Sequence, residues 1–305
     1  MIALTLLVFV TVWNLHFVRE RGSSAWPSIL AALAMPLCVD WQSPFLRAPV
    51  TVWAVVFAMK SWELSRGNVA DPRMLHGLGR ALFWQFIPPD TQVPDDNAQA
   101  AATRAVGLAR VRRGLLKTPF ALALWWLEMR WPGVHDNPWC EAFWALWLTW
   151  LGMTAFVDVL SGIAMQSGFH VAETFETPLF ARSPRDFWGR RWNLFVHRWV
   201  RRHIFRPVGG VRHPLRGAAL VFVYSALVHE YVVVAALRGL PRGLGWMSAF
   251  FVLHGLAVGL EIALIQRLGR GPWMPRALAV GLHLLWLTAT APLFFGPLGE
   301  IFVQP

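Results

Sequence analysis

Two ionisable residues stand side by side inside an apolar run, where ionisable groups are costly and usually functional. His229 and Glu230 lie in YSALVHEYVVVAAL, residues 224–237. If this helix starts near Arg216, His229 lies about 20 Å along it, at about 1.5 Å per residue. A neutral imidazole at that depth can accept a proton as a general base. Ser225 shares the helix face of His229, whereas Glu230 points elsewhere and has a local or interhelical role.

Three further apolar runs carry polar side chains that share one helix face. These sets are Thr154, Asp158 and Ser161; His254 and Glu261; and His283 and Thr290. Lipid cannot satisfy such groups, so they must face one another or water. The pattern predicts a bundle around a polar chamber or tunnel, with a chamber lining that includes Ser225, Glu230, His254, Glu261 and Asp158.

The alternative for these stripes is interhelical hydrogen bonding that holds the bundle together. This interpretation is favoured for the hydroxyl residues, and it also suits His254 with Glu261 as a structural pair. His283 and Asp158 remain open between the two roles. The position of His229, deep in its run and beside Glu230, favours chemistry.

Membrane-spanning helices must position these residues. The chain has 305 residues, of which 56% are hydrophobic and 15% are charged, which is too apolar for a soluble domain. Runs of about 17–25 apolar residues can span a bilayer. The predicted fold is an all-α polytopic membrane protein with about eight transmembrane helices. Four runs are clear, at 141–165, 216–237, 244–266 and 277–298, and four are weaker, at 1–18, 26–40, 48–64 and 115–131. The first run lacks the features of a signal peptide.

The net charge of +11 is explained by topology. If the N-terminus is outside, the outer segments carry Arg47, Arg130, Arg238 and Arg242. Every other Lys and Arg of the 28 in the chain then lies in an inner segment, as the positive-inside rule requires. Both termini are predicted outside, and no nucleic-acid partner is expected. The preference for Arg over Lys suggests a bacterial inner membrane, or the endoplasmic reticulum if the source is eukaryotic.

The longest polar connection, 66–114, begins as a loop. An amphipathic helix is predicted from Asp96 or Asn97, because Asp and Asn cap helix starts, and its basic end is predicted at Arg110–Arg113. Cys38 and Cys140 lie far apart in apolar runs and are interpreted as packing residues. No metal motif and no second domain are predicted.

The order of three motifs points to a family. RDFWGRRWN at 185–193, HE at 229–230 and FFVLHG at 250–255 resemble the wax synthase branch of the membrane-bound O-acyltransferases. ETPLFARSPRDFWGRRWNLFVHR is similar to the signature of that branch. The resemblance implies one acyltransferase domain over 1–305. Its N-terminal helices and cytosolic connection would occupy 1–140, and its catalytic core would occupy 141–298.

Relatives in the wider superfamily carry F-Y-x-D-W-W-N where this chain has RDFWGRRWN. The frame is kept here by Phe187, Trp188, Trp192 and Asn193, while Arg190 and Arg191 replace an acidic and an aromatic position, as in the wax synthase branch. The resemblance implies His229 as catalytic base with Asn193 as its polar partner. It also implies acyl-CoA contacts from the residues around Asn193, namely Phe187, Trp188, Trp192, Arg190 and Arg191.

The implied reaction is acyl transfer from acyl-CoA, a co-substrate rather than a tightly bound cofactor, to the hydroxyl of a lipophilic alcohol. Asn193 would donate to the oxyanion, or orient the imidazole or the pantetheine arm. Arginines suit CoA phosphates, and the candidates are Arg190, Arg191, Arg198, Arg201, Arg202 and Arg206; membrane lipid headgroups are the alternative partner. His229 and Asn193 should face one cavity, which requires 185–206 to fold into the domain.

Other functions fit parts of the pattern. The acceptor could be a sterol or another small hydroxylated lipid, and the acyl group could be as short as acetyl. Outside enzymes, a membrane transporter also places polar stripes in a bundle, but it is expected to show matched half-helices, which the sequence lacks.

Overall fold

The computed structural model describes residues 2–19, 22–88, 90–134, 136–269 and 274–303. Helices make up nearly all of the regular structure in these ranges. We number the α-helices in chain order: α1 Ile2–Val12, α2 Trp26–Ala34, α3 Pro44–Ser65, α4 Leu78–Phe86, α5 Asn97–Arg130, α6 Pro138–Gln166, α7 Pro184–Arg190, α8 Leu194–Val200, α9 Pro214–Leu237, α10 Trp246–Leu268 and α11 Arg276–Val303.

Four of the described helices, α6, α9, α10 and α11, are long and apolar enough to cross a membrane. They coincide with the four clear runs of the sequence, so this part of the prediction is confirmed. The weaker runs are helical too, since α3 covers 48–64 and shorter apolar helices cover Ile2–His16 and Trp26–Cys38. The total of eight spans remains a prediction.

The helix predicted after the polar connection begins where expected. The Asp96 carboxylate accepts a hydrogen bond from the Gln99 N–H at 2.7 Å, which caps the start of α5. Its predicted end near Arg113 is wrong. The helix continues to Arg130 and includes the weak run 115–131, so the predicted helix and the predicted span are one element.

Close packing against α6 explains why α5 does not stop at its glycines. A Cβ built on Gly107 would lie 2.6 Å from the Met165 Cβ, and one on Gly162 would lie 2.6 Å from the Gly107 carbonyl oxygen. These glycines therefore let two backbones approach each other, as small residues do between membrane helices. Their role is close packing, and they do not terminate a helix.

Asp158 belongs to this helix pair and not to a chamber. Its buried carboxylate accepts hydrogen bonds from Arg113 Nε at 2.8 Å and from Lys117 Nζ at 2.7 Å. Both cations come from α5. The structure thus places Asp158 in an ion-pair network between α5 and α6, because α5 continues beside α6 instead of ending before it.

The segment between α6 and α9 folds into the bundle. Phe187, Trp199 and Val200 are buried, and the Trp199 Nε1–H donates to the Met59 carbonyl at 3.2 Å. A π-helical turn, Arg201–Phe205, continues α8. Phe187 lies in α7 and Trp199 and Val200 lie in α8, whereas the π-helical turn has no buried residue.

Ion pairs connect the same segment to the N-terminal half of the chain. Arg198 Nε donates to Asp90 at 2.6 Å. Arg202 lies 3.4 Å from the buried Glu63 carboxylate, and His203 lies 3.6 Å from it. The segment that carries the predicted chemistry is therefore held from both halves of the sequence.

Candidate active site

A cavity of about 1060 Å³ opens between α7, α8, α9 and α10. Asn193 and His229 both line it. At about 1.5 Å per residue, His229 lies about 22 Å along α9 from Pro214. The two residues predicted to act together thus face one space, as the sequence required of an acyl-transfer site.

The tautomer of His229 follows from its hydrogen bond. Its Nδ1 lies 2.7 Å from the Ser225 carbonyl oxygen, one turn earlier in α9. A carbonyl can only accept, so Nδ1 carries the proton and Nε2 keeps its lone pair. The ring is flanked by Phe251 and Phe294, with centroids 4.4 and 5.6 Å away. This arrangement presents an unprotonated nitrogen in a largely apolar pocket.

Asn193 adopts the left-handed conformation, with φ of 47°, which Asn tolerates better than most residues. The turn is fixed by the Leu194 N–H, which donates to the Thr174 carbonyl at 2.8 Å. The side-chain Oδ1 of Asn193 is buried and has no hydrogen-bond partner among the described residues. A buried amide oxygen without a partner is costly, and a bound substrate can supply the missing bond.

The aromatic frame of RDFWGRRWN anchors α7 to the bundle. The Trp188 Nε1–H donates to His254 Nδ1 at 3.0 Å, and His254 Nε2–H donates to the Thr290 hydroxyl at 3.0 Å. Phe187 and Trp192 stack with centroids 5.5 Å apart. His254 is fully buried and belongs to this network, so the structure places it outside the cavity lining.

Glu261 serves α7 as well. Its carboxylate accepts from the Ser183 hydroxyl at 3.0 Å and from the Arg185 N–H at 3.2 Å. The expected His254–Glu261 pair does not form among the described contacts, because each residue bonds a different part of α7 and its neighbours. Glu261 lines the cavity, as does Ser225, and both agree with the predicted chamber lining.

Glu230 lies outside the cavity. Its Oε1 accepts a hydrogen bond from the Ser248 N–H at 3.0 Å, in the first turn of α10. Carboxylates are favourable at helix N-termini. The residue beside the proposed base therefore joins α9 to α10, because the helical rotation from His229 to Glu230 turns it away from the cavity.

Five arginines line the cavity, and we infer that they mark its opening: Arg182, Arg185, Arg190, Arg191 and Arg201. Arg182 and Arg185 were not among the candidates from sequence, although Arg185 begins the motif RDFWGRRWN and Arg182 lies three residues before it. The candidates Arg198, Arg202 and Arg206 do not line the cavity, and the first two bind acidic residues instead. The opening remains basic, because Asp186 and Glu261 are the acidic residues of the same lining.

Arg191 is occupied by structural contacts. Its Nε donates to Asp186 at 2.8 Å, and its Nη1 donates to the Thr177 hydroxyl at 2.9 Å. Burial acts to raise the pKa of Asp186, but hydrogen bonds from the Arg182 N–H and from Arg191, with the charges of Arg191 and Arg190, leave that pKa below its usual value. Arg190 and Arg201 make no such ion pairs among the described residues.

His197 lines the cavity one turn after Asn193. Its burial and the charges of Arg201 and Arg198 lower the pKa of its imidazole, so it is neutral at pH 7. Asn193 directly precedes α8, and His197 follows it by four residues, about one helical turn, which is the signal that could have found it.

His283 is buried against Phe187, with ring centroids 5.4 Å apart. Neither ring nitrogen has a hydrogen-bond partner among the described residues, and His283 is not in the cavity lining. Within the described ranges, no three His, Cys, Asp or Glu residues are grouped so that they could hold a metal ion.

Comparison with known proteins shows the family of the chain. The profile of the MBOAT, membrane-bound O-acyltransferase family matches residues 89–259. The chain is 31% identical over 167 residues to the probable long-chain-alcohol O-fatty-acyltransferase 9 of Arabidopsis thaliana, covering 50% of this chain and 48% of the relative. It is 36% identical over 104 residues to the long-chain-alcohol O-fatty-acyltransferase of Simmondsia chinensis, covering 31% and 29%.

A third relative is named for a different acceptor. The acyl-CoA–sterol O-acyltransferase 1 of Arabidopsis thaliana is 31% identical over 146 residues, covering 45% of this chain and 41% of the relative. The matched regions span less than half the length of each of these relatives. The predicted resemblance to the wax synthase branch is confirmed by the two long-chain-alcohol relatives. With more than half of its length matched by the family profile, this integral membrane protein belongs to the membrane-bound O-acyltransferase family.

Proposed function

We propose that this protein transfers an acyl group from acyl-CoA to the hydroxyl of a lipophilic alcohol, as a wax ester synthase does. The observation that carries the proposal is the cavity that His229 and Asn193 share. Its basic opening suits a polyanionic thioester, and its interior suits an aliphatic chain. Two of the relatives named above act, by name, on long-chain alcohols.

His229 is the proposed general base. Its Nε2 takes the proton of the alcohol while the alcohol oxygen attacks the thioester carbonyl. The tetrahedral intermediate collapses, the carbon–sulfur bond breaks, and the proton on Nε2 passes to the CoA sulfur. The products are an ester and free CoA, and the imidazole returns to its starting state. The hydrogen bond of Nδ1 to Ser225 keeps the ring in the tautomer that this step needs.

Asn193 is the proposed polar partner of the base. No hydrogen bond joins Asn193 to His229 among the described contacts. The geometry therefore does not favour a role in which the amide orients the imidazole directly. Its NH2 group can donate to the carbonyl oxygen as negative charge develops, and such donors contribute about 10²–10³ in rate. The left-handed turn holds the amide at the cavity wall.

The arginines at the opening are the proposed contacts for CoA phosphates. Arg182, Arg185, Arg190 and Arg201 have side chains free of ion pairs among the described residues, and Arg binds phosphate through a planar fork. This assignment places the opening on the cytosolic side with both termini outside, in agreement with the positive-inside rule. A bacterial inner membrane is the proposed location.

The whole described chain acts as one acyltransferase domain in this proposal, with the core at 141–298. Ion pairs of Arg198 and Arg202 with Asp90 and Glu63 support a single unit, because residues from the N-terminal half hold the segment that carries Asn193. Transfer to a sterol is a second candidate, favoured by the relative named for that acceptor.

The test is a panel of acyl-CoAs and acceptors supplied to the purified protein in lipid, with ester and free CoA as readouts. His229→Ala should lower the rate by about 10²–10⁴. The matched control is His76→Ala, which removes an exposed imidazole that does not line the cavity and should keep full activity. Sterols in the acceptor panel separate the two candidates. If no pair yields ester, the transporter alternative is favoured over the acyltransferase. If His229→Ala is fully active, the assignment of His229 as the base is wrong.

A further inference from the structure

A second, smaller cavity of about 60 Å³ lies between α6, α11 and the segment that leads into α8. Its lining is almost wholly apolar. Leu146 and Trp150 come from α6, Leu287, Ala291 and Phe295 from α11, and Phe187 from α7. Thr149 and the indoles of Trp150, Trp188 and Trp192 are its polar members among the described residues. Apolar voids of this kind stay dry and accept apolar ligands.

Three aromatic residues form a partition between the small cavity and the large one. Trp188, Trp192 and Phe294 line both cavities. Phe294 is also the ring beside His229, with centroids 5.6 Å apart. A chain attached to a reacting carbon or oxygen at His229 therefore meets this aromatic partition within a few carbon atoms.

We propose that the small cavity receives an aliphatic segment of a substrate, and that Phe294 and Ala291 are specificity-determining residues that set how many carbons are accepted there. The inference rests on the proposed function of the large cavity. A void of about 10–15 Å³ accommodates one water, so 60 Å³ accommodates about four groups of methylene size. The cavity thus defines a length limit of a few carbons beyond the partition.

The ligand chemistry is an alkyl chain, and two substrates carry one. The acyl chain starts at the thioester carbonyl, and the acceptor chain starts at the alcohol oxygen; both atoms meet at His229. The partition is equally close to either chain, so the chemistry of the void is the same for both. A length series of each substrate tells them apart.

Two substitutions change the void in opposite directions. Ala291→Leu adds a branched alkyl group to a position that is 2% exposed and lines only the small cavity of the two, so it shortens the space. Phe294→Ala removes one of the three rings of the partition and opens space between the two cavities. Phe302→Ala is the matched control, because it deletes the same ring from the same helix at a position that is 67% exposed.

The experiment measures kcat/KM for saturated acyl-CoAs of increasing length with one alcohol, and for alcohols of increasing length with one acyl-CoA. We expect Ala291→Leu to lower kcat/KM of the longest good chains by about tenfold or more for each excluded methylene. Chains shorter by two to four carbons should keep their rate. Phe294→Ala should move the optimum to longer chains. The series that shifts identifies the substrate whose chain enters.

Several outcomes overturn the inference. Length profiles of Ala291→Leu and Phe294→Ala that match those of the unaltered protein and Phe302→Ala would show that the void takes no chain. Shifts of both variants in the same direction would also contradict it, because the two substitutions change the void in opposite directions. Loss of folded protein lowers all rates alike, so it cannot mimic two opposite shifts. Absence of ester with every pair in the unaltered protein is distinct, since it overturns the proposed function as well.

Discussion

Replacing Asn193 by glycine separates the chemistry of its amide from the shape of its turn. Because φ at this position is 47°, Gly keeps the backbone without strain, and only the side chain is lost. If the amide donates to the developing oxyanion, kcat falls about 10²–10³-fold, or about 2.7–4 kcal/mol. The KM for acyl-CoA should stay within a few-fold, because the arginines at the opening are untouched.

Asn193→Ala gives the same loss of rate with an added loss of stability. An L-residue in the left-handed region costs about 1–2 kcal/mol, so the alanine variant should melt at a lower temperature than the glycine variant. Single-turnover formation of ester from pre-bound acyl-CoA measures the chemical step, and thermal unfolding in detergent measures the stability. Both readouts come from the same preparation.

The matched control is Thr177→Gly. Thr177 is also left-handed, with φ of 44°, lies in the same segment and does not line the cavity. It should lose no more than a few-fold in rate. Asn193→Asp keeps the shape and removes the N–H donors, so it should be as inactive as the glycine variant. Full activity of Asn193→Gly would refute the oxyanion role, and full activity of Asn193→Asp would assign the function to the amide oxygen.

Four further predictions follow from the contacts. Arg201→Gln should raise the KM for acyl-CoA about tenfold with little change in kcat, because one charge-assisted hydrogen bond is lost; initial rates test it. His254→Phe should lower stability by about 1–3 kcal/mol, because the Trp188 Nε1–H loses its acceptor; thermal unfolding measures it. Asp158→Asn should cost about 2 kcal/mol, between exposed and buried ion pairs. Asp186→Asn should destabilise at pH 7, because the pKa of Asp186 is lowered in the folded state. The difference should shrink once the pH falls below the unfolded-state pKa of about 4, and it should be lost below the lower folded-state pKa.

Each of these four has an outcome that contradicts it. An unchanged KM in Arg201→Gln would remove that residue from CoA binding. Unfolding temperatures of His254→Phe or Asp158→Asn equal to that of the unaltered protein would show that the hydrogen bonds in question contribute nothing. A stability difference for Asp186→Asn that persists unchanged at pH 3 would mean that the charge of the carboxylate is not its source.

The sequence predicted where the helices lie better than it predicted which helices and side chains contact one another. Long apolar runs identify α6, α9, α10 and α11, because spanning a bilayer demands length and composition that are local properties. Asp96 marks the start of α5 for the same reason, since a cap bonds within its own turn. The end of α5 depends on contact with α6, which no local pattern encodes, and it was therefore predicted too early.

The site shows the same division. His229 is conspicuous because an ionisable group deep in an apolar run is rare, and Asn193 follows from its motif. Asp158 and His254 are equally conspicuous but bind Arg113 and Trp188, which are far away in sequence. A pattern along one helix reveals that a polar residue needs a partner, and only the packing of helices decides which partner it finds.

The ion pairs of the segment around Asn193 also give the site an order of assembly in time. When Arg198 and Arg202 leave the ribosome, Asp90 and Glu63 have already been synthesised, whereas His254, the hydrogen-bond partner of Trp188 in α10, has not. The first contacts open to the nascent segment are thus those with the N-terminal half. The anchoring of Trp188 to His254 comes later, so the aromatic side of the cavity closes last during synthesis.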